Sequence, residues 1–294
     1  MATTVIRDVR HVYELTPHLP GGCGTQPVLV FIHGWLLSRT YWQPLITDLA
    51  QDYLCLTYDL RGFGESAAKT IGDRYPDHGY TLADYATDLQ HLLDTLDLHN
   101  VWLVGHSLGG SIALWGASIC ADRVQGVICI NSGGGIYLKE DFEKFRTAGQ
   151  NLVKNRWPIL KHLPLLDLAF ARLMVNQPLA RHWGKQRIHD FLRADTQAAL
   201  GSLLETTTEP EVHYLPQLVA KLTQPVYFLA GCQDPVMELK YVHHLASFHP
   251  GFGCMGENVL EIDGCGHFAM LEQAALVTEN IRTILGQYPP AKGL

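Results

Sequence analysis

Residues 101–110 read Val101-Trp102-Leu103-Val104-Gly105-His106-Ser107-Leu108-Gly109-Gly110. An apolar, β-rich run meets a glycine-framed serine, and a helical pattern then runs on toward Ile119. A serine at so sharp a strand-to-helix turn projects its hydroxyl above the sheet edge. Side chains two positions to either side would collide there, which is why those places need glycine. The new helix directs its N-terminus at the same point and favours negative charge developing there. This context makes Ser107 a candidate nucleophile; the alternative is a glycine-rich turn with an incidental serine.

The pattern extends outward on both sides. Residues 28–33 (VLVFIH) are nearly all apolar, as in a strand buried on both faces. Residues 54–59, 126–131, 225–230 and 259–262 repeat the theme. The clearest helix spans residues 82–96 with Thr81 as N-cap. Leu82, Tyr85, Ala86, Leu89, Leu92, Leu93 and Leu96 form its packed face, with Asp84, Asp88 and Gln90 on the other side. Strands alternating with helices predict an α/β fold, with a mostly parallel central sheet flanked by helices. After Asn131 the alternation stops. No strand is evident up to about Leu222, only helical patterns cut by Pro158, Pro164, Pro178, Pro210 and Pro216. So long a connection predicts an inserted helical cap over residues 132–223, on a core formed by 1–131 and 224–294.

Composition narrows the function classes. With 47% apolar and 17% charged residues the chain is globular. A net charge of −7 without a dense Lys/Arg run sets nucleic acid aside. Residues 1–10 lack the apolar core of a secretory signal, and no run reaches the ~18 apolar residues of a membrane span. The seven cysteines (Cys23, Cys55, Cys120, Cys129, Cys232, Cys254 and Cys265) are odd in number and form no C-x-x-C pair. That usage fits a reduced, cytoplasmic protein. The fifteen histidines show no metal-ligand spacing, so neither metal nor cofactor is expected.

With these motifs in view, the chain resembles the α/β-hydrolase superfamily, in the branch with a helical cap, over nearly its whole length. The resemblance rests on Gly105 to Gly110, on His33-Gly34-Trp35, on Asp59-Leu60-Arg61-Gly62-Phe63-Gly64-Glu65-Ser66, on Gly231-Cys232-Gln233-Asp234 and on Gly264-Cys265-Gly266-His267. It implies the chain order serine, acid, histidine, and so assigns His267 as base and Asp234 as the acid that fixes its tautomer. Asp263, four residues before His267, and Glu238 on the next helix are the rival acids. The oxyanion donors it implies are the backbone N–H groups of Leu108 and Trp35, with the Trp35 indole walling the pocket. In the Asp59 loop, Asp59 and Arg61 are expected to bond the loop backbone rather than react. Gly133-Gly134-Gly135 lacks the Lys-Ser/Thr of a phosphate loop and reads as an exit into the cap.

Inside the cap, residues 163–175 (LPLLDLAFARLMV) carry only Asp167 and Arg172 as charges. Such a helix is buried in the cap's own core or lines an apolar pocket, with Trp157, Phe170, Met174 and Trp183 as candidate lining residues. Phe142 and Phe145, with Lys139, Lys144, Lys154 and Arg156, read as a solvated amphipathic face.

A serine nucleophile argues against the family's dehalogenases and epoxide hydrolases, which use aspartate there. His33-Gly34-Trp35 with Ser107-Leu108 resembles small carboxylesterases acting on acyl-carrier methyl esters. The expectation is an enzyme cleaving a carboxylic ester or thioester of an apolar small molecule. The alternative is a carbon–carbon hydrolase or an elimination enzyme of the menaquinone pathway type on the same triad. There an arginine is expected soon after the Gly-Gly pair, and Ser111 stands in its place. A third class is a ligand-binding protein that kept the fold without catalysis.

Overall fold

Every side chain of strand β3 (Val28–Ile32) is buried. Val28, Val30 and Ile32 enter one apolar cluster, while Leu29 and Phe31 enter another. Successive residues of a strand point to opposite faces, so a strand covered on both sides must be apolar throughout. The computed structural model describes residues 1–17, 26–67, 78–134 and 139–288, with the side chains of 139–142 left aside. Cys23 and Gly135 lie outside the described residues, as do the side chains of Lys139 and Phe142.

The sheet comprises β1 (Ala2–Ile6), β2 (Val9–Leu15), β3, β4 (Leu54–Tyr58), β5 (Val101–His106), β6 (Val124–Ile130), β7 (Val226–Gly231) and β8 (Val259–Ile262). Their spatial order is β1-β2-β4-β3-β5-β6-β7-β8. Pairing is parallel from β4 through β3 to β8 and antiparallel at the β1–β2–β4 edge. Sequence reading found the six strands β3 to β8 and missed β1 and β2. Both lack a continuous apolar run: Ala2–Ile6 is mostly exposed, and Val9–Leu15 is interrupted by Arg10, His11 and Glu14.

Helices α1 (Gln43–Leu49), α2 (Leu82–Thr95) and α3 (Leu108–Ile119) precede β6. Helices α9 (Leu239–Ala246), α10 (Ala269–Glu272) and α11 (Ala274–Gly286) follow β7. α2, α3 and α9 cover one face of the sheet, α1 and α11 the other. Thr81 caps α2 in a reciprocal pair with Asp84, whose backbone N–H it accepts and whose carboxylate accepts from the Thr81 N–H. Asp88 is not on a solvated side. It is 2% exposed and holds the fully buried Arg61 guanidinium at 2.8 Å. Arg61 therefore ties its loop to α2 rather than to the loop's own backbone, because a buried cation needs a partner carboxylate. Asp59 does bond backbone as expected, accepting from the amides of Arg39 at 2.7 Å and Glu65 at 2.8 Å.

Between β6 and β7 the described residues form only helices: α4 (Lys139–Lys154), α5 (Leu166–Phe170), α6 (Arg181–Arg193), α7 (Thr196–Glu205) and α8 (Glu209–Val219). Pro216 lies inside α8 and does not cut it. Residues 163–175 are not one buried helix. Only Leu166–Phe170 is α-helical, while Leu163, Leu165, Leu173 and Met174 face solvent. Periodicity alone gave no sign that Pro164 and the left-handed backbone at Leu165 and Met174 would break the run.

Candidate active site

The strand order reverses between β3 and β5, since the chain moves from β3 outward to β4 and then returns to the other side of β3. A crevice opens at the C-terminal ends of strands at such a point. Trp35 follows β3 there and Ser107 follows β5. Ser107 holds φ 52° and ψ −119°, a region a side chain rarely adopts. The glycines around it are required by close approach. A Cβ on Gly105 would stand 2.2 Å from the Gly109 carbonyl oxygen, and one on Gly109 2.2 Å from that of Ile32.

His267 and Asp234 meet across the ends of β7 and β8. His267 Nδ1–H donates to Asp234 Oδ2 at 2.8 Å, which leaves Nε2 free to act as a base. Oδ2 also accepts from Asn131 Nδ2 at 2.9 Å, and Oδ1 from the amides of Val236 at 2.8 Å and Met237 at 2.9 Å. Burial pushes the Asp234 carboxyl up, but the His267 charge and these donors outweigh it and hold the group below its ordinary value. The rival acids point elsewhere. Asp263 is exposed, and Glu238 pairs with Lys240 at 2.9 Å. Among the described residues no hydrogen bond joins Ser107 to His267, a contact that in enzymes often tightens only around substrate.

The Trp35 and Leu108 amides have no hydrogen-bond partner among the described residues, and both residues line the cavity in which Ser107 sits. Leu36, next in the loop, holds a left-handed φ of 58°. His33 braces this loop. Its Nε2 accepts the Leu60 amide at 2.9 Å, so Nδ1 carries the proton and donates to the Gly34 carbonyl at 2.8 Å. The Trp35 indole donates to the Ala199 carbonyl on α7 at 2.9 Å and so links the loop to the helical segment.

The cavity encloses about 760 Å³ of empty space, part of it open to solvent. Besides Trp35, Ser107 and Leu108, its walls include the apolar Leu82, Phe145, Leu203, Val236 and Met237, together with Ser111, Ser132, Ser202, Thr206 and Thr207. The expected lining residues are elsewhere. Trp157 is 64% exposed, Met174 faces solvent, Phe170 packs on Phe191, and Trp183 packs on Tyr41. Phe145 belongs to the cavity rather than to a wholly solvated face. Arg156 donates to the carbonyls of Phe191 and Ala194, and Arg146 to the Leu204 carbonyl and Thr207 hydroxyl. The cavity also holds a carboxylate that sequence reading did not place there. Glu211 lines it, with Oε2 buried and unpartnered among the described residues. Burial, then nearby Asp84, raises its carboxyl above the ordinary range.

Three further residues position the site, and sequence reading missed their roles. His106 donates from Nε2 to the His267 carbonyl at 2.8 Å, and its ring lies 4.8 Å from that of His267. Asn131 bonds the Gly266 carbonyl at 3.1 Å as well as Asp234. Glu272 accepts the amides of Gly266, Phe268 and Asn176, clamping the His267 loop and the helical segment together. His106 occupies an unspecified position of the serine motif, so no sequence signal marks it. Cys232 and Cys265, each two residues before a candidate catalytic residue, have thiols that burial pushes up to about 11 and about 12. Such thiols are poor nucleophiles.

A sequence model for the alpha/beta hydrolase fold matches residues 27–274. This chain belongs to the alpha/beta hydrolase fold family. It is 28% identical over 228 residues to a pimeloyl-[acyl-carrier protein] methyl ester esterase of Aliivibrio salmonicida, covering 76% of this chain and 80% of that one. It is 27% identical over 277 residues to a 2-succinyl-6-hydroxy-2,4-cyclohexadiene-1-carboxylate synthase of Salmonella newport, covering 91% and 97%. A thermophilic esterase structure from Thermogutta terrifontis superposes with a TM-score of 0.74 at 21% identity, covering 98% of this chain and all of that one. Its likeness lies in the fold. No helix among the described residues is long and apolar enough to cross a membrane, and no group of three or more His, Cys, Asp or Glu side chains there could hold a metal ion.

Proposed function

We propose that this chain is a serine hydrolase that cleaves a carboxylic ester or thioester of an apolar small molecule through an acyl-enzyme on Ser107. The observation that carries the reading is the 2.8 Å bond from His267 Nδ1 to Asp234, which leaves Nε2 available as a base on a ring 4.8 Å from that of His106, the neighbour of Ser107. Ser107 Oγ attacks the carbonyl carbon while its proton passes to His267 Nε2. The oxyanion takes hydrogen bonds from the Trp35 and Leu108 amides. His267 then protonates the leaving alcohol or thiol. A water that gives its proton to His267 attacks the acyl carbon, and Ser107 leaves as the regenerated hydroxyl. Asp234 keeps its charge throughout and stabilises the imidazolium.

Residues 132–223 act in this reading as a cap that contributes Phe145 and Leu203 to the pocket wall. The carbon–carbon elimination alternative calls for an anionic substrate. Ser111 where an arginine would serve, together with the Glu211 carboxyl in the same cavity, favours the ester reading. The cysteine usage fits a cytoplasmic setting.

The test is covalent labelling with a fluorophosphonate followed by peptide mapping. Label is expected on Ser107 and absent from Ser107→Ala, with ester hydrolysis reduced by ~10⁴–10⁶ in kcat and the fold unchanged by circular dichroism. A Ser107→Ala variant keeping more than about a tenth of the activity overturns the assignment.

A further inference from the structure

Residues 154–193 carry a charge opposite to that of the rest of the chain. They contain eight Lys and Arg against two Asp, a formal +6 in a chain of −7, so the remainder sums to −13. Both aspartates, Asp167 and Asp190, are buried, while Lys154, Lys161, Arg172, Arg181 and Lys185 are exposed. The same stretch holds much of the bare apolar surface: Trp157 is 64% exposed, Ile159 62% and Leu165 63%. The two features meet in one groove, whose walls combine Lys161, Leu163 and Leu165 with Lys185 and Arg193 of α6 and with Arg181, which is paired to Asp167 at 2.6 Å.

We propose that this face docks on the anionic surface of a lipid bilayer. Trp157 and Ile159 do not line that groove, and such exposed apolar side chains suit a soft surface that closes around them, whereas a folded acidic protein would need a shaped socket for each. Interfacial binding adds buried apolar area to attraction between basic side chains and lipid phosphates, and the face supplies both. The docked segment also reaches the candidate active site. Midway along it the Met174 carbonyl accepts the His267 backbone N–H at 2.8 Å, and Asn176 Nδ2 donates to the Gly264 carbonyl at 2.9 Å. The proposal is independent of the reaction assigned to Ser107, and its deciding readout is vesicle binding.

Flotation of the full chain with vesicles decides it, comparing phosphatidylcholine alone with phosphatidylcholine holding roughly one third phosphatidylglycerol. Binding is expected to the anionic vesicles only, and salt is expected to weaken it. Lys161→Glu with Lys185→Glu, and separately Trp157→Ser with Ile159→Ser, should each reduce it about tenfold or more. All four side chains are exposed, so folding and the hydrolysis of a soluble ester should stay unchanged. Absence of the wild-type chain from the anionic vesicles, or equal flotation of both variants, overturns the proposal. Capture on immobilised polyglutamate without vesicle binding overturns it too, in favour of an acidic protein partner.

Discussion

The His106 ring donates its Nε2–H to the backbone carbonyl of His267 over 2.8 Å, so the residue before the candidate nucleophile holds the loop that carries the candidate base. His106→Ala is expected to lower kcat about ten- to a hundredfold with KM little changed, because small misplacements of a catalytic group are costly. His106→Gln, which restores an N–H donor, should recover part of the loss. Steady-state kinetics on a soluble ester checks this, and equal KM and kcat effects would mean a general loss of structure.

Burial depresses the His106 imidazole from 6.5 to about 3, and His11 and His33 are lowered by the same cause. The unfolded chain takes up these protons below pH about 6.5 while the folded chain does not. Stability is therefore full above that pH and falls as pH drops from about 6.5 toward 3. His106 alone should account for on the order of 3–5 kcal/mol of the loss. Urea titrations across this range should show a flatter pH dependence for His106→Gln than for wild type.

Asp234→Asn is expected to leave the backbone in place but favour the wrong His267 tautomer, costing up to ~10⁴ in rate. Asp263→Asn and Glu238→Gln should cost less than about threefold, since neither carboxylate bonds the imidazole. Equal damage from Asp263→Asn would move the acid assignment.

The pocket walls predict a rising activity profile with acyl length. Each buried methylene contributes ~0.8 kcal/mol, so lengthening an ester from about two to about six acyl carbons should raise kcat/KM by roughly two orders of magnitude. A carboxylate at the chain end should be rejected by the Glu211 carboxyl, and Glu211→Gln should relax that rejection. Parallel assays of neutral and acid-ended esters decide this. A flat neutral series would mean a pocket open to solvent.

The sequence alone determined the inner sheet and the serine turn. Val28–Ile32 and residues 101–104 are buried on both faces and must be apolar throughout, and the turn at Ser107 tolerates no side chain at Gly105 or Gly109. Those are local constraints, and local constraints leave residue patterns. Tertiary structure decided what depends on encounters between distant segments. Asp88 reads as solvent-facing on its helix until Arg61, from a separate loop, is buried against it. No pattern in the sequence marks Glu211, and only the fold brings it into one cavity with Leu82 and Ser107. The run 163–175 reads as buried because apolar content does not say whether a partner surface exists, and for Leu163 and Leu165 none covers them among the described residues. Burial is a property of pairs of surfaces, and a single stretch of sequence carries only one of the two.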